Sequence, residues 1–187
     1  MRKLRSLLNG KLKTSFFSSK IKIEAVFQDQ KFLCQWRQIM PNSMENSPQT
    51  RSLDPALTTD LLDIVIPASV PIELVKVGFY RRNQVDYRKT PSLKEIEDSL
   101  KDPEFMRKIV VMPLYTSQDK EYAKRFLSNP EIKKLIEKFM DQGSLGITFD
   151  LDGIHAYLPF PHELNGVVQQ IYAILPTLRQ IADTLRN

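Results

Sequence analysis

The chain has 187 residues, of which 42% are hydrophobic and 26% charged. That is enough length and apolar content for one ordinary core, and it excludes a disordered chain, a collagen-like repeat and a mini-protein held by disulfides. The formal charge is +5, and it sits at one end: Arg2, Lys3, Arg5, Lys11, Lys13, Lys20 and Lys22 precede the first acid, Glu24, so residues 1–22 carry +7 and the rest carry 20 − 22 = −2.

A cationic, acid-free start with Leu4, Leu7, Leu8, Phe16 and Phe17 among its charges reads as a basic segment over residues 1–20. It suits a contact with anionic lipid, where each cation near the surface contributes about 1 kcal/mol. The alternatives are a transit peptide and a solvated basic first strand and tail. No apolar run of about seven or more follows, so secretion is disfavoured. The alternation Ile21, Ile23, Ala25, Phe27 and the run Lys31 to Arg37, separated by Gln28-Asp29-Gln30, predict a hairpin. Cys34 in its second strand is a lone thiol that suits a reducing compartment and reads as a packed small hydrophobe rather than a nucleophile. Residues 41–55 turn polar and predict a long surface loop. Leu61 to Pro67 and Pro71 to Tyr80 predict strands, and neither they nor any other window is long and apolar enough for a membrane helix.

In the second half, Pro91 with Ser92-x-x-Glu95 predicts a helix to about Leu100. Asp102-Pro103-Glu104 and Asn129-Pro130-Glu131 each offer a capping side chain, a proline at the first helical position and an acid at the positive end of the dipole. Lys108 to Leu114 predicts a strand, Gln118 to Leu127 a short helix, and Pro130 to Gln142 a helix burying Ile132, Leu135, Ile136, Phe139 and Met140. Ile147 to Asp150 and Ile154 to Leu158 flank Leu151-Asp152-Gly153, a hairpin signal. Pro161 to Arg186 predicts a final helix with a stripe of Leu164, Val168, Ile171, Leu175, Leu178, Ala182 and Leu185, kinked or split near Pro176.

The segment Ile147-Thr148-Phe149-Asp150-Leu151-Asp152-Gly153 resembles the nucleophile motif of haloacid-dehalogenase phosphatases. The resemblance implies Asp150 as nucleophile, Asp152 as general acid/base and Mg²⁺ between them. The motif's usual setting, a long β/α alternation with a later Ser or Thr, Lys and acidic pair, does not follow: after Gly153 come 34 residues with no Lys and only Glu163 and Asp183 as acids. His155 and His162 beside the two aspartates raise a metal reading that the spacing does not establish. No Gly-x-Ser-x-Gly elbow and no glycine-rich phosphate loop occurs. Phe79-Tyr80-Arg81-Arg82 and Tyr87-Arg88-Lys89 interleave aromatics with cations, as a single-stranded nucleic-acid platform does.

Asp102-Pro103-Glu104-Phe105, the strand Ile109-Val110-Val111, and Tyr115-Thr116-Ser117-Gln118-Asp119 with Ala123 and Leu127 follow an order similar to a broad group of uncharacterised bacterial proteins, many with N-terminal membrane helices. The similarity covers about Leu100 to Leu185 and implies an α+β domain working at a membrane face, with no catalytic residue to carry over.

The expectation is one α+β domain over residues 1–187, a mostly antiparallel sheet covered by helices from the C-terminal half. Functionally we expect a cytoplasmic, non-enzymatic interaction domain, without cofactor or metal, whose partner is a protein or an anionic membrane met through Arg2, Lys3, Arg5, Lys11, Lys13, Lys20 and Lys22. The alternatives are a nucleic-acid module using residues 79–89 and a divalent-metal phosphatase using Asp150 and Asp152.

Overall fold

Alternating apolar residues build the centre of the molecule. In the computed structural model, which describes residues 2–15, 18–38, 60–71, 74–84, 98, 101–113, 126–160 and 164–186, the strands are β1 (Lys11–Ser15), β2 (Ser18–Phe27), β3 (Gln30–Gln38), β4 (Asp60–Ile66), β5 (Val77–Arg81), β6 (Ile109–Pro113), β7 (Gly146–Asp150) and β8 (Gly153–Pro159). They form one sheet in the order β1-β2-β3-β4-β8-β7-β5-β6, with every neighbouring pair antiparallel.

Register fixes two faces, because successive side chains on a strand point to opposite sides. Ile23, Cys34, Ile64, Ala156, Ile147, Phe79 and Val111 lie opposite one another in a row across seven strands, and all seven belong to the main core. The helices α1 (Arg2–Leu7), α2 (Pro103–Lys108), α3 (Pro130–Asp141) and α4 (Leu164–Thr184) place their apolar residues in the same cluster. On the other face Leu61, Tyr80, Val110, Met112, Leu145 and Tyr157 form a second, smaller apolar group. Its Tyr80 ring lies against two glycines: a Cβ on Gly146 would sit 2.5 Å from the ring, and one on Gly78 would sit 2.7 Å from it. Glycine is needed there for close approach.

The helix ends obey the capping chemistry. Asp102 Oδ1 accepts from the Phe105 N–H at 3.1 Å, and Asn129 Oδ1 from the Glu131 N–H at 3.0 Å, each before a proline in the first turn. Phe105 and Met106 of α2, and Ile132, Leu135, Ile136, Phe139 and Met140 of α3, are buried. Burial of each such side chain stabilises by about 1.5–3 kcal/mol.

Two expectations are corrected and two on the final helix are refined. The N-terminus opens as a helix before the first strand, because Leu4 and Leu8, four residues apart, share one face and are buried while Arg2, Lys3 and Arg5 are exposed. The region Pro71 to Tyr80 is not one strand: a 3₁₀ turn over Leu74–Lys76 leads into the five-residue β5. The stripe of α4 is met in part: Ile171, Leu175, Leu178 and Ala182 are buried as expected, Val168 and Leu185 only partly so, and Val167, Ile174 and Ile181 join them to widen the buried face. Of the two outcomes expected at Pro176, a kink or a split, the split does not occur, since α4 continues as one helix over Leu164–Thr184. Pro176 is exposed, and the carbonyl of Ala173, near the one proline cannot serve, accepts from Gln142 Nε2 at 3.0 Å. The loop 41–55, the helix expected over 91–100 apart from Asp98, and most of that over 118–127 fall outside the described residues.

Candidate functional site

The second face of the sheet holds a polar array at its centre. Asp63 on β4 pairs across the ladder with Gln35 on one side and Tyr157 on the other, while His155 pairs with Val65, two residues further along β4. Asp63 and His155 are therefore diagonal neighbours on one face, within side-chain reach. His155 Nδ1 lies 3.1 and 3.2 Å from the two carboxylate oxygens of Asp63. Arg37 Nη2 is 2.6 Å from Asp63 Oδ2, and Gln35 Nε2 donates to the same oxygen. Asp63 is 0% exposed. A buried carboxylate is tolerated only when it is paired and hydrogen-bonded, and here three side chains do that.

The other imidazole nitrogen faces the β7–β8 turn. His155 Nε2 is 2.8 Å from Asp152 Oδ1, three residues earlier in the chain. Asp150 pairs with Gly153 to close the turn, so Leu151-Asp152 is a two-residue connection, one residue shorter than the sequence suggested. Asp150 Oδ1 accepts from the Leu151 N–H at 2.7 Å. One ligand atom each from Asp150, Asp152 and His155 lie within 4.8 Å of one another, a set able to hold a metal ion. His162 is outside the described residues. The DLDG segment thus sits in an antiparallel hairpin whose strand β7 is antiparallel to both β5 and β8.

Electrostatics favour charge throughout the array. Burial pushes Asp63 up, yet the hydrogen bond and charge of His155, then Arg37 and Gln35, bring it below the usual carboxylate range. Burial pushes His155 down, but Asp152 and Asp63 raise it to about 9. Asp152 is lowered, chiefly by its hydrogen bond from His155, with Lys22 contributing at longer range. A protonated imidazole donating from both nitrogens to two carboxylates is the resting arrangement. Beside it, Thr148 and Tyr157 share a hydrogen bond of 3.0 Å between hydroxyls, and burial, then Asp63, pushes the phenol up. Cys34 faces the main core, where burial raises its thiol to about 12, so it packs as a hydrophobe.

A second feature is cationic. Arg81, Arg82, Asn83, Arg107, Lys108, Met140 and Asp141 line a cleft of about 460 Å³ where the end of β5 meets the C-termini of α2 and α3. Arg81 Nη2 donates to the Met140 carbonyl and Arg82 Nε to the Met106 carbonyl at 2.5 Å, so both guanidinium groups are tethered at helix ends. Lys108 and Asp141 are 3.9 Å apart with both side chains largely exposed, a weak pair.

The stacking half of the nucleic-acid expectation is corrected here: Phe79 and Tyr80 are both 0% exposed, one in each core, and cannot meet a base. Tyr87, Arg88 and Lys89 lie outside the described residues. Of the N-terminal cations, Arg2, Lys3, Arg5 and Lys11 are exposed and Lys22 is half-buried; the side chains of Lys13 and Lys20 are not among those described. No helix among the described residues is long and apolar enough to cross a membrane. Neither a protein-family model, a curated protein nor a solved structure matches the chain.

Proposed function

We propose that the chain is a non-enzymatic interaction domain whose partner carries phosphate groups, bound in the cleft between β5, α2 and α3. The observation that carries the reading is that four cations, Arg81, Arg82, Arg107 and Lys108, line that cleft against a single acid, Asp141. Guanidinium groups match phosphate oxygens two at a time, and tethering Arg81 and Arg82 to helix carbonyls reduces the side-chain freedom lost on binding. The cleft volume is in the range of sites that take a small ligand or one unit of a polymer. A second, cytoplasmic reading at an anionic membrane is favoured by α1, whose leucines are locked into the core while Arg2, Lys3 and Arg5 are exposed.

One experiment tests both readings. The full chain is titrated with a labelled single-stranded oligonucleotide and with phosphatidylserine vesicles, at low and high salt, alongside R107Q/K108Q and R2Q/K3Q/R5Q. Cleft binding predicts affinity for the oligonucleotide that falls with salt, with the log–log slope reduced by about 1.4 in R107Q/K108Q. Membrane contact predicts that R2Q/K3Q/R5Q loses about 3 kcal/mol of vesicle binding, roughly 100-fold. No binding of the native chain to either probe at low salt overturns both readings.

A further inference from the structure

The geometry points to a divalent transition-metal site formed by Asp150, Asp152 and His155, with zinc as the preferred ion and Asp63 as the residue that positions the imidazole. Two aspartates on a turn would carry nothing by themselves. What makes a site is His155, 6% exposed and gripped at Nδ1 by a carboxylate from a different strand, 92 residues away in sequence. A histidine whose one nitrogen donates to a buried carboxylate while the other meets an exposed carboxylate on a turn is placed to ligate a metal once that second nitrogen gives up its proton, because the backing group sets both tautomer and ring direction. Asp63 is itself immobilised by Arg37 and Gln35.

The donors fit a small ion. His155 Nε2 and Asp152 Oδ1 are 2.8 Å apart, a hydrogen-bond distance; when an ion replaces the Nε2 proton, which is released to solvent, the two atoms need separate by only roughly half an ångström to take tetrahedral positions at bond lengths of about 2.0–2.2 Å. With all three donor atoms within 4.8 Å, a small side-chain rotation at the turn completes the approach. One imidazole with two carboxylates favours zinc, or more weakly manganese, over calcium and magnesium, which prefer all-oxygen shells. Three protein donors leave a position for water.

The test is calorimetric titration of the EDTA-stripped full chain with zinc chloride. The expected result is one saturable site, weakened at least tenfold by D150N and by D152N, weakened about 10–100-fold by D63N, and unchanged by H162Q. Nitrogen-15 imidazole spectra should show zinc shifting His155 Nε2 while Nδ1 keeps its proton. D150N and D152N alter an exposed or half-buried turn rather than the core, so they report even if D63N does not fold. Absence of zinc binding to the native chain, binding indifferent to both turn variants, or binding lost in H162Q overturns the assignment.

Discussion

Gly153 is the position where one added methyl group should be felt most. Its φ of +143° lies where side chains are rarely tolerated, and a Cβ built there would be 2.1 Å from the Ile66 carbonyl oxygen and 2.9 Å from its carbon. Backbone strain of this kind costs about 1–3 kcal/mol. Relieving the clash means moving β8 against β4, because the obstacle is backbone rather than a side chain that can swing aside, and overpacking of that sort costs about 1–3 kcal/mol more. Gly153→Ala should therefore lose about 2–6 kcal/mol. At about 2–4 °C per kcal/mol for a chain of this size, the melting temperature should fall by at least about 4 °C and by well over 10 °C at the upper end. Gly166→Ala is the internal control: it lies in α4 with nothing within 4 Å of the new Cβ, and should gain about 0.5–1 kcal/mol from helix propensity. Thermal unfolding followed by circular dichroism reads both. A drop below about 2 °C for Gly153→Ala would mean that the corner of this hairpin is not held against β4 as described.

Asp63→Ala should cost about 3–5 kcal/mol, because it strands Arg37 and His155 in a buried setting; a shift in the urea midpoint worth less than about 1 kcal/mol would contradict that pairing. Asp102→Ala should cost about 1 kcal/mol at neutral pH through loss of the α2 cap. The Lys133 hydrogen bond, working against partial burial and helped by the Phe105 N–H, holds Asp102 below its ordinary range, so the carboxylate's contribution is present above the unfolded value near 3.8 and disappears as pH falls through the lower folded value. Urea unfolding at pH 7 and at pH 3 should show the native–variant gap narrowing in acid, and a gap that widened there would refute the sign. Pro176→Ala restores an N–H at an exposed position of α4 whose neighbours Leu175 and Thr177 are buried and should raise stability by about 1–2 kcal/mol; a lower melting temperature would show that the ring is packed rather than merely accommodated.

The parts of the fold legible in the sequence were those specified within a few residues. The caps at Asp102 and Asn129, the hairpin joining Phe27 to Gln30 and the ribbon around Gly153 each depend on local chemistry. The α1 helix was legible in principle, since Leu4 and Leu8 already show helical spacing. The site was not. Asp63 and His155 meet only because β8 lies beside β4, and nothing near either residue announces that pairing. The cationic cleft likewise joins Arg81 and Arg82 to Arg107 and Lys108 through the ends of three separate elements. The stacking expectation for Phe79 and Tyr80 failed because alternation on β5 sends one ring to each face of a strand that is buried on both.

The adjacency of β4 and β8 also sets a timetable for synthesis. Strands β1 to β4 can zip together in order as they leave the ribosome, but the partner of β4 comes from residues 153–159. Until then the growing protein presents a row of unpaired amides flanked by Leu62, Ile64 and Ile66, the kind of margin that recruits neighbouring nascent chains. Premature termination after about residue 145 would leave that margin permanently open, so a shortened product should aggregate rather than persist as a smaller folded unit.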